Sequence, residues 1–187
     1  WIDYLSARNL PSEGIDTWMA GKRNDQIMRI LLGEGATEED IFAHGAAKEA
    51  LFRQMMAPQL EERLMPGLRQ FLGELAPLPV GLGSNAEPAN VDFLLDTAGL
   101  RQQFRAIVDG HQVEHPKPAP DIYLRVAGEL GVDPQDCLIF EDSPSGIRAA
   151  RAAGARVVGV NGNGEPLANV DLTIRNFLDP ALRGWLA

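Results

Sequence analysis

Cysteine is nearly missing from this sequence: Cys137 is the only one in 187 residues. A single thiol closes no intrachain disulfide, which points to a reducing compartment and a cytoplasmic home. Positive charge is scarce as well. Seventeen Lys and Arg stand against 26 Asp and Glu, a net charge of −9 with a sequence pI near 4.8. Non-specific nucleic-acid binding rests on clustered basic residues, so this balance excludes it. Small anionic substrates stay open, because a few local donors suffice for one phosphate. Nothing is apolar for long enough to cross a bilayer. The uncharged stretch 75–86 has 12 residues and two prolines, against the ~20 apolar residues a span needs. No basic start, apolar stretch and small-residue cleavage site mark a signal peptide. Repeats and low-complexity tracts are absent, and His44, His111 and His115 have no metal-ligand spacing. What remains, 45% hydrophobic and 23% charged, is the composition of a soluble globular protein. Its length suits one domain with a modest insertion.

Residues 1–63 read as helical throughout. Trp1, Tyr4, Leu5 and Ala7 begin an amphipathic stretch, and Ile27, Ile30 and Leu31 follow at helical spacing. The run Thr37-Glu-Glu-Asp40 predicts a capping box at the start of a long helix carrying Ile41, Ala47, Leu51 and Met55. From Pro66 helices and short apolar strands alternate. Strands are expected at 79–82, 106–108, 137–140 and 157–160, with Cys137 as a small core residue in the third. Helices are expected at 66–75, 91–98, from Pro120 to about Leu130, and 145–153. Such alternation predicts an α/β fold: a Rossmann-like parallel sheet core with helices on both faces, plus an α-helical cap. The expected division is residues 1–63 for the cap and 64–187 for the core.

In parallel sheets ligands lie beyond the carboxyl ends of the strands, and three strand ends here carry polar groups. Ser84-Asn85 offers a hydroxyl and an amide for a phosphate oxygen; the alternative is a helix N-cap. Lys117 stands in His115-Pro-Lys-Pro-Ala-Pro120, on a backbone stiffened by proline and suited to present a cation to phosphate. Glu141-Asp142 follows the apolar strand Cys-Leu-Ile-Phe. Two adjacent carboxylates suit Mg²⁺, which binds one or two of them plus phosphate and water. The alternative is two acids favouring the positive end of the next helix.

Together these stations resemble the haloacid dehalogenase superfamily, in its β-phosphoglucomutase-like phosphatase branch. Ser84-Asn85 is similar to the second family motif, Lys117 in Lys-Pro-Ala-Pro to the third, and Glu141-Asp142 with Ser143 and Gly146 to the fourth. Their spacings, 33 residues from Ser84 to Lys117 and 25 on to Asp142, match as well. So do Ala149-Ala-Arg-Ala-Ala-Gly154 and a helical cap before Pro66-Gly67. The resemblance implies a Mg²⁺-dependent phosphohydrolase acting on a small phosphorylated metabolite, a sugar phosphate, through an aspartyl phosphate. Carried over residue by residue, Lys117 is catalytic and contacts phosphate and nucleophile, Ser84 and Asn85 bind phosphate, and Asp142 and Glu141 serve the metal. A monomer or weak dimer is expected. One motif has no match: no Asp-x-Asp follows an apolar strand ahead of the cap. Two explanations stand, a longer native protein, as the non-methionine start at Trp1 suggests, or a short inactive relative.

Three rivals remain. A phosphomutase would carry a cap arginine for the distal phosphate, and in Gly21-Lys22-Arg23-Asn24 the arginine falls one position early; Lys22, Arg23 and Lys48 are the cap candidates for substrate, against a reading as solvated surface charges. A dinucleotide-binding module would use Gly81-Leu-Gly83-Ser-Asn-Ala86 with Asp109 as the ribose-binding acid. A catalytically inactive binding protein is the non-enzyme alternative.

Overall fold

Val157 and Val158 are both fully buried, yet they face different cores, because successive strand side chains point to opposite sides of a sheet. Val157 packs with Ala106, Val108, Ile122, Val126 and Ile147; Val158 packs with Phe71, Val160, Ile174 and Leu182. A sheet buried on both faces needs helices on both, and the computed structural model has them. It describes residues 1–19, 22 and 24–186, with the side chains of 16 and 17 left aside.

The chain forms two units, Trp1–Leu60 and Glu61–Ala187. Among its described residues the first unit is helical: α1 (Ile2–Ser6), α2 (Ile15–Trp18), α3 (Asn24–Leu32) and α4 (Glu38–Met56), followed by α5 (Leu60–Arg63) where the two units meet in sequence. Tyr4, Leu5, Ile15, Met28 and Ile41 make its core. The capping box is formed. Thr37 Oγ1 accepts from the Asp40 amide at 3.1 Å, and the Asp40 carboxylate accepts from the Thr37 amide at 3.0 Å.

The second unit runs α6 (Leu68–Glu74), β1 (Gly81–Ser84), α7 (Pro88–Thr97), β2 (Ala106–Asp109), α8 (Asp121–Leu130), β3 (Leu138–Glu141), α9 (Pro144–Ala152), β4 (Arg156–Val160), β5 (Leu172–Ile174) and α10 (Pro180–Leu186). All strand pairings are parallel. β1 pairs with β2 (Gly83 opposite Val108), β4 pairs with β3 (Phe140 opposite Val158) and with β5. These form two separate ladders, β1-β2 and β3-β4-β5. One layer of helices spans them: α8 packs on β1 and β2, α9 on β3 and β4, and α8 on α9.

The strands β1 and β3 each pair with one neighbour and are only half-buried, apart from Glu141, whereas β2 and β4 are buried along most of their length. Leu138, Ile139 and Phe140 thus have the composition of an interior strand in an edge position.

Several expectations shift. The strand expected at 79–82 lies at 81–84, because proline cannot donate to a ladder and Pro79 delays the pairing. The first bond comes from the Arg105 amide to Val80 O at 2.8 Å. Cys137 is not a core residue of the third strand. It precedes β3, partly exposed, in the turn after Asp133, whose carbonyl lies 3.5 Å from Sγ. The elements β5 and α10, three and seven residues long, were not anticipated. Such short segments carry too few periods to stand out.

Candidate active site

The peptide after β3 turns sharply into α9, and Ser143 makes the turn by capping the helix: its Oγ accepts from the Gly146 amide at 3.0 Å. Glu141, the last residue of β3, folds its side chain beneath that turn. Oε2 accepts from the amides of Asp142 (3.1 Å) and Ser143 (3.2 Å) and from Ser143 Oγ (3.1 Å). Oε1 accepts from the Lys117 ammonium and the Tyr123 hydroxyl. Side-chain exposure is 6% for Glu141 and 9% for Lys117, so this ion pair is buried. Burial pushes the Glu141 carboxyl up, but the Lys117 ammonium, the phenol and the Ser143 amide outweigh it and hold the pKa below its ordinary value.

Glycine at 146 is what lets the carboxylate sit there. A Cβ at this position would lie 2.0 Å from the Glu141 carboxyl carbon and Oε1. Gly146→Ala should therefore displace the Glu141 carboxylate from its five hydrogen bonds and lower stability by about 3–5 kcal/mol, the range for breaking a buried ion pair. Urea unfolding checks it, and a variant within a few tenths of wild type would show that the carboxylate moves freely.

Lys117 reaches across from the loop before α8. Its ammonium donates to Gly83 O at 3.0 Å and to Tyr123 Oη at 2.7 Å, besides Glu141, and lies 4.7 Å from the Tyr123 ring centroid. One cation thereby joins the carboxyl ends of β1 and β3, two strands that share no hydrogen bond with each other. Asn85 fixes the lysine's main chain: Oδ1 accepts from the Lys117 amide at 3.2 Å and Nδ2 donates to its carbonyl at 3.4 Å. Ser84 Oγ accepts from the Ala86 amide at 3.1 Å. Neither residue caps a helix, since α7 begins at Pro88 with Glu87 ahead of it. The N-cap alternative for Ser84-Asn85 is thus excluded.

Asp142 differs from Glu141 in having no salt bridge among the described residues. Partial desolvation and the adjacent Glu141 anion raise its pKa. Asp142 is exposed beside a buried anion, which leaves its oxygens open to a cation. Mg²⁺ fits the donor set in chemistry, needing one or two carboxylates with the remaining positions from phosphate and water. Among the described residues no cluster of three or more His, Cys, Asp or Glu side chains could hold a metal alone. Glu141 already accepts five hydrogen bonds, so Asp142 is the carboxylate with room.

The cap candidates lie in the first unit. Lys22 is exposed, its ammonium on Trp18 O. Lys48 is not a solvated surface charge: its side chain is 11% exposed, its ammonium pairs with Glu49 and lies 4.5 Å from the Trp1 ring centroid. Arg23 lies outside the described residues.

Two features speak against a dinucleotide site. Asp109 is buried, and its oxygens accept from the His111 amide at 2.8 Å and from Gln112 Nε2 at 2.6 Å. The glycines serve packing: a Cβ on Gly81 would meet Val126 at 2.4 Å, and one on Gly83 would meet Tyr123 at 3.3 Å. Tyr123 itself escaped the sequence reading. Its signal was present in the glycines opposite it on β1, which admit a large side chain from the inner face of α8.

The comparisons agree with this geometry. The family model for haloacid dehalogenase-like hydrolases matches residues 4–154. A β-phosphoglucomutase of Bacillus subtilis is 33% identical over 166 residues, covering 86% of this chain and 72% of the relative. A fructose-1-phosphate phosphatase of Escherichia coli is 38% identical over 125 residues, covering 66% of this chain and 65% of the relative. The crystal structure of a haloacid dehalogenase hydrolase of family IA, variant 3, from Entamoeba histolytica superimposes with a TM-score of 0.78 at 26% identity, over 94% of this chain and 82% of that one. A family match across most of the chain, on parallel strands whose carboxyl ends meet Lys117 beside Glu141 and Asp142, leads to one assignment: the chain belongs to the haloacid dehalogenase-like hydrolases, a family that includes phosphatases and phosphomutases.

Proposed function

We propose that the full-length protein is a Mg²⁺-dependent phosphohydrolase of a small phosphorylated metabolite, in the class of sugar phosphates. The observation that carries this reading is the buried Lys117–Glu141 pair with the unpaired Asp142 beside it, at the carboxyl ends of two half-covered strands. Lys117 neutralises charge on the phosphoryl oxygens, and the Ser84 hydroxyl donates to one of them. Asn85 acts through Lys117, whose main chain it holds. Asp142 is the metal ligand, and Glu141 supports the site from behind, keeping Lys117 charged and the Ser143 turn closed. Bound there, Mg²⁺ supplies further neutralisation of the transferring phosphoryl group.

The nucleophile belongs to a segment outside this sequence. Among the described residues β1 and β3 are half-exposed and each has one partner strand, which suits one more parallel strand between them, carrying Asp-x-Asp to the end where Lys117 lies. One carboxylate then attacks phosphorus, and the other protonates the leaving oxygen and later deprotonates water. Residues 1–63 serve as the cap and 64–187 as the core, with Lys22, Arg23 and Lys48 the cap residues proposed for substrate choice.

The test is orthophosphate release by the full-length protein from a panel of sugar monophosphates, with and without Mg²⁺. Release that requires the metal supports the reading. No release from any phosphate ester, with the protein folded and metal present, overturns it. The likeness to a β-phosphoglucomutase gives a second reading, for which isomerisation without net release is the sign.

A further inference from the structure

The Lys117 ammonium carries three hydrogens, and three acceptors surround it: Gly83 O, Tyr123 Oη and Glu141 Oε1. A lysine has no fourth donor. A phosphoryl oxygen therefore gains a full hydrogen bond from this nitrogen only by replacing one of the three.

They are not equally replaceable. Losing Glu141 would leave a buried anion without its cation. Losing Gly83 O would give up a main-chain acceptor beside a buried charge. The Tyr123 hydroxyl loses least. It donates to Glu141 Oε1 whether or not it accepts from lysine, and its ring keeps the ammonium close when the hydrogen bond is given up.

Resting on the reading of Lys117 as a phosphate ligand, we propose that Tyr123 is a positioning residue: its hydroxyl holds Lys117 in the free protein and is displaced from the ammonium by a phosphoryl oxygen on binding. The phenol keeps the lysine ordered between turnovers and weakens the hold on phosphate by the equivalent of one hydrogen bond, which hastens release of orthophosphate.

Tyr123→Phe keeps the ring and removes the hydroxyl. Orthophosphate, titrated calorimetrically into the full-length protein, should bind the variant about ten- to a hundredfold tighter than wild type, the fold equivalent of one hydrogen bond from a charged donor. KM for a phosphorylated substrate falls in the same proportion, opposite to the loss that a merely structural role would produce. An unchanged or weaker affinity overturns the proposal. NMR of isotope-labelled lysine gives a second readout, with the Lys117 ammonium assigned by its disappearance in Lys117→Arg. That signal should be protected from solvent exchange in wild type and exchange several-fold faster in Tyr123→Phe; equal exchange in both overturns the proposal.

Should Tyr123→Phe not fold, the wild-type protein carrying fluorotyrosine suffices. Orthophosphate should shift the Tyr123 fluorine resonance, told apart from that of Tyr4 through Tyr4→Phe. Normal turnover with an unmoved Tyr123 resonance removes the displacement and leaves the phosphohydrolase reading intact. A shift in a protein that turns over no phosphate ester does the reverse.

Discussion

Lys117→Met should lower folding stability by about 3–5 kcal/mol at neutral pH, the penalty for leaving one member of a buried ion pair alone, and abolish phosphate release. Methionine keeps the length of the side chain and removes the charge that holds Glu141 as a carboxylate at 6% exposure. The pH dependence gives the cause away. In the wild type the Glu141 pKa lies below its unfolded value. Its contribution to stability is therefore present above the ordinary glutamate range and lost as pH falls below that range through the lowered folded pKa. Without the ammonium, burial dominates and the folded pKa rises above the unfolded one. The sign then reverses, and the variant loses stability as pH rises through the carboxylate range. Urea unfolding at acidic and neutral pH reads both slopes. The double variant Lys117→Met/Glu141→Gln should recover most of the lost stability, since no buried charge remains, yet no activity. A Lys117→Met protein as stable as wild type at neutral pH would mean that Glu141 finds another cation or water, and the clamp would not be structural.

How much of this was legible beforehand depends on whether the signal was local. The Thr37–Asp40 capping box is a four-residue pattern whose partners lie within one turn, and it formed as read. Lys117, Glu141 and Asp142 stand out for similar reasons, each placed by a proline-bounded loop or a strand end. Their assembly is a different matter. That one ammonium would reach Gly83 O and Glu141 at once depends on α8 lying close over β1, which the two glycines permit. Glycine spacing in that segment satisfied a dinucleotide fingerprint equally well, and the positions of Val126 and Tyr123 above it, with the burial of Asp109, decide between the two. The same dependence on distant partners hid Tyr123, an ordinary apolar-face residue by helical periodicity. It also hid the role of Asn85, whose amide is taken up by the Lys117 main chain 32 residues away. Cys137 was misplaced for a local reason: an apolar run does not show where its ladder begins, and here the preceding turn claims the thiol.

Asp142→Asn is the counterpart to the lysine variant, with a loss of function and no matching loss of stability. The Asp142 side chain is exposed, and its pKa is raised by partial desolvation and by the Glu141 anion. Its folded pKa exceeds the unfolded one, and its contribution makes stability decline as pH rises through the carboxylate range. Asparagine removes that decline. Without metal the variant should be as stable as wild type at neutral pH, or slightly more so, which is the usual relation between a functional charge and the fold that carries it. With Mg²⁺ present the two part. Cation binding to the folded state alone raises the melting temperature of wild type in proportion to the logarithm of metal concentration, and should leave the variant unmoved. Phosphate release by the full-length variant should fall by about three orders of magnitude, since a metal at the transferring phosphoryl group contributes several kcal/mol and each 1.4 kcal/mol is about tenfold in rate. Melting curves that respond equally to Mg²⁺ in both proteins would place the metal elsewhere, and undiminished turnover would remove Asp142 from the chemistry altogether.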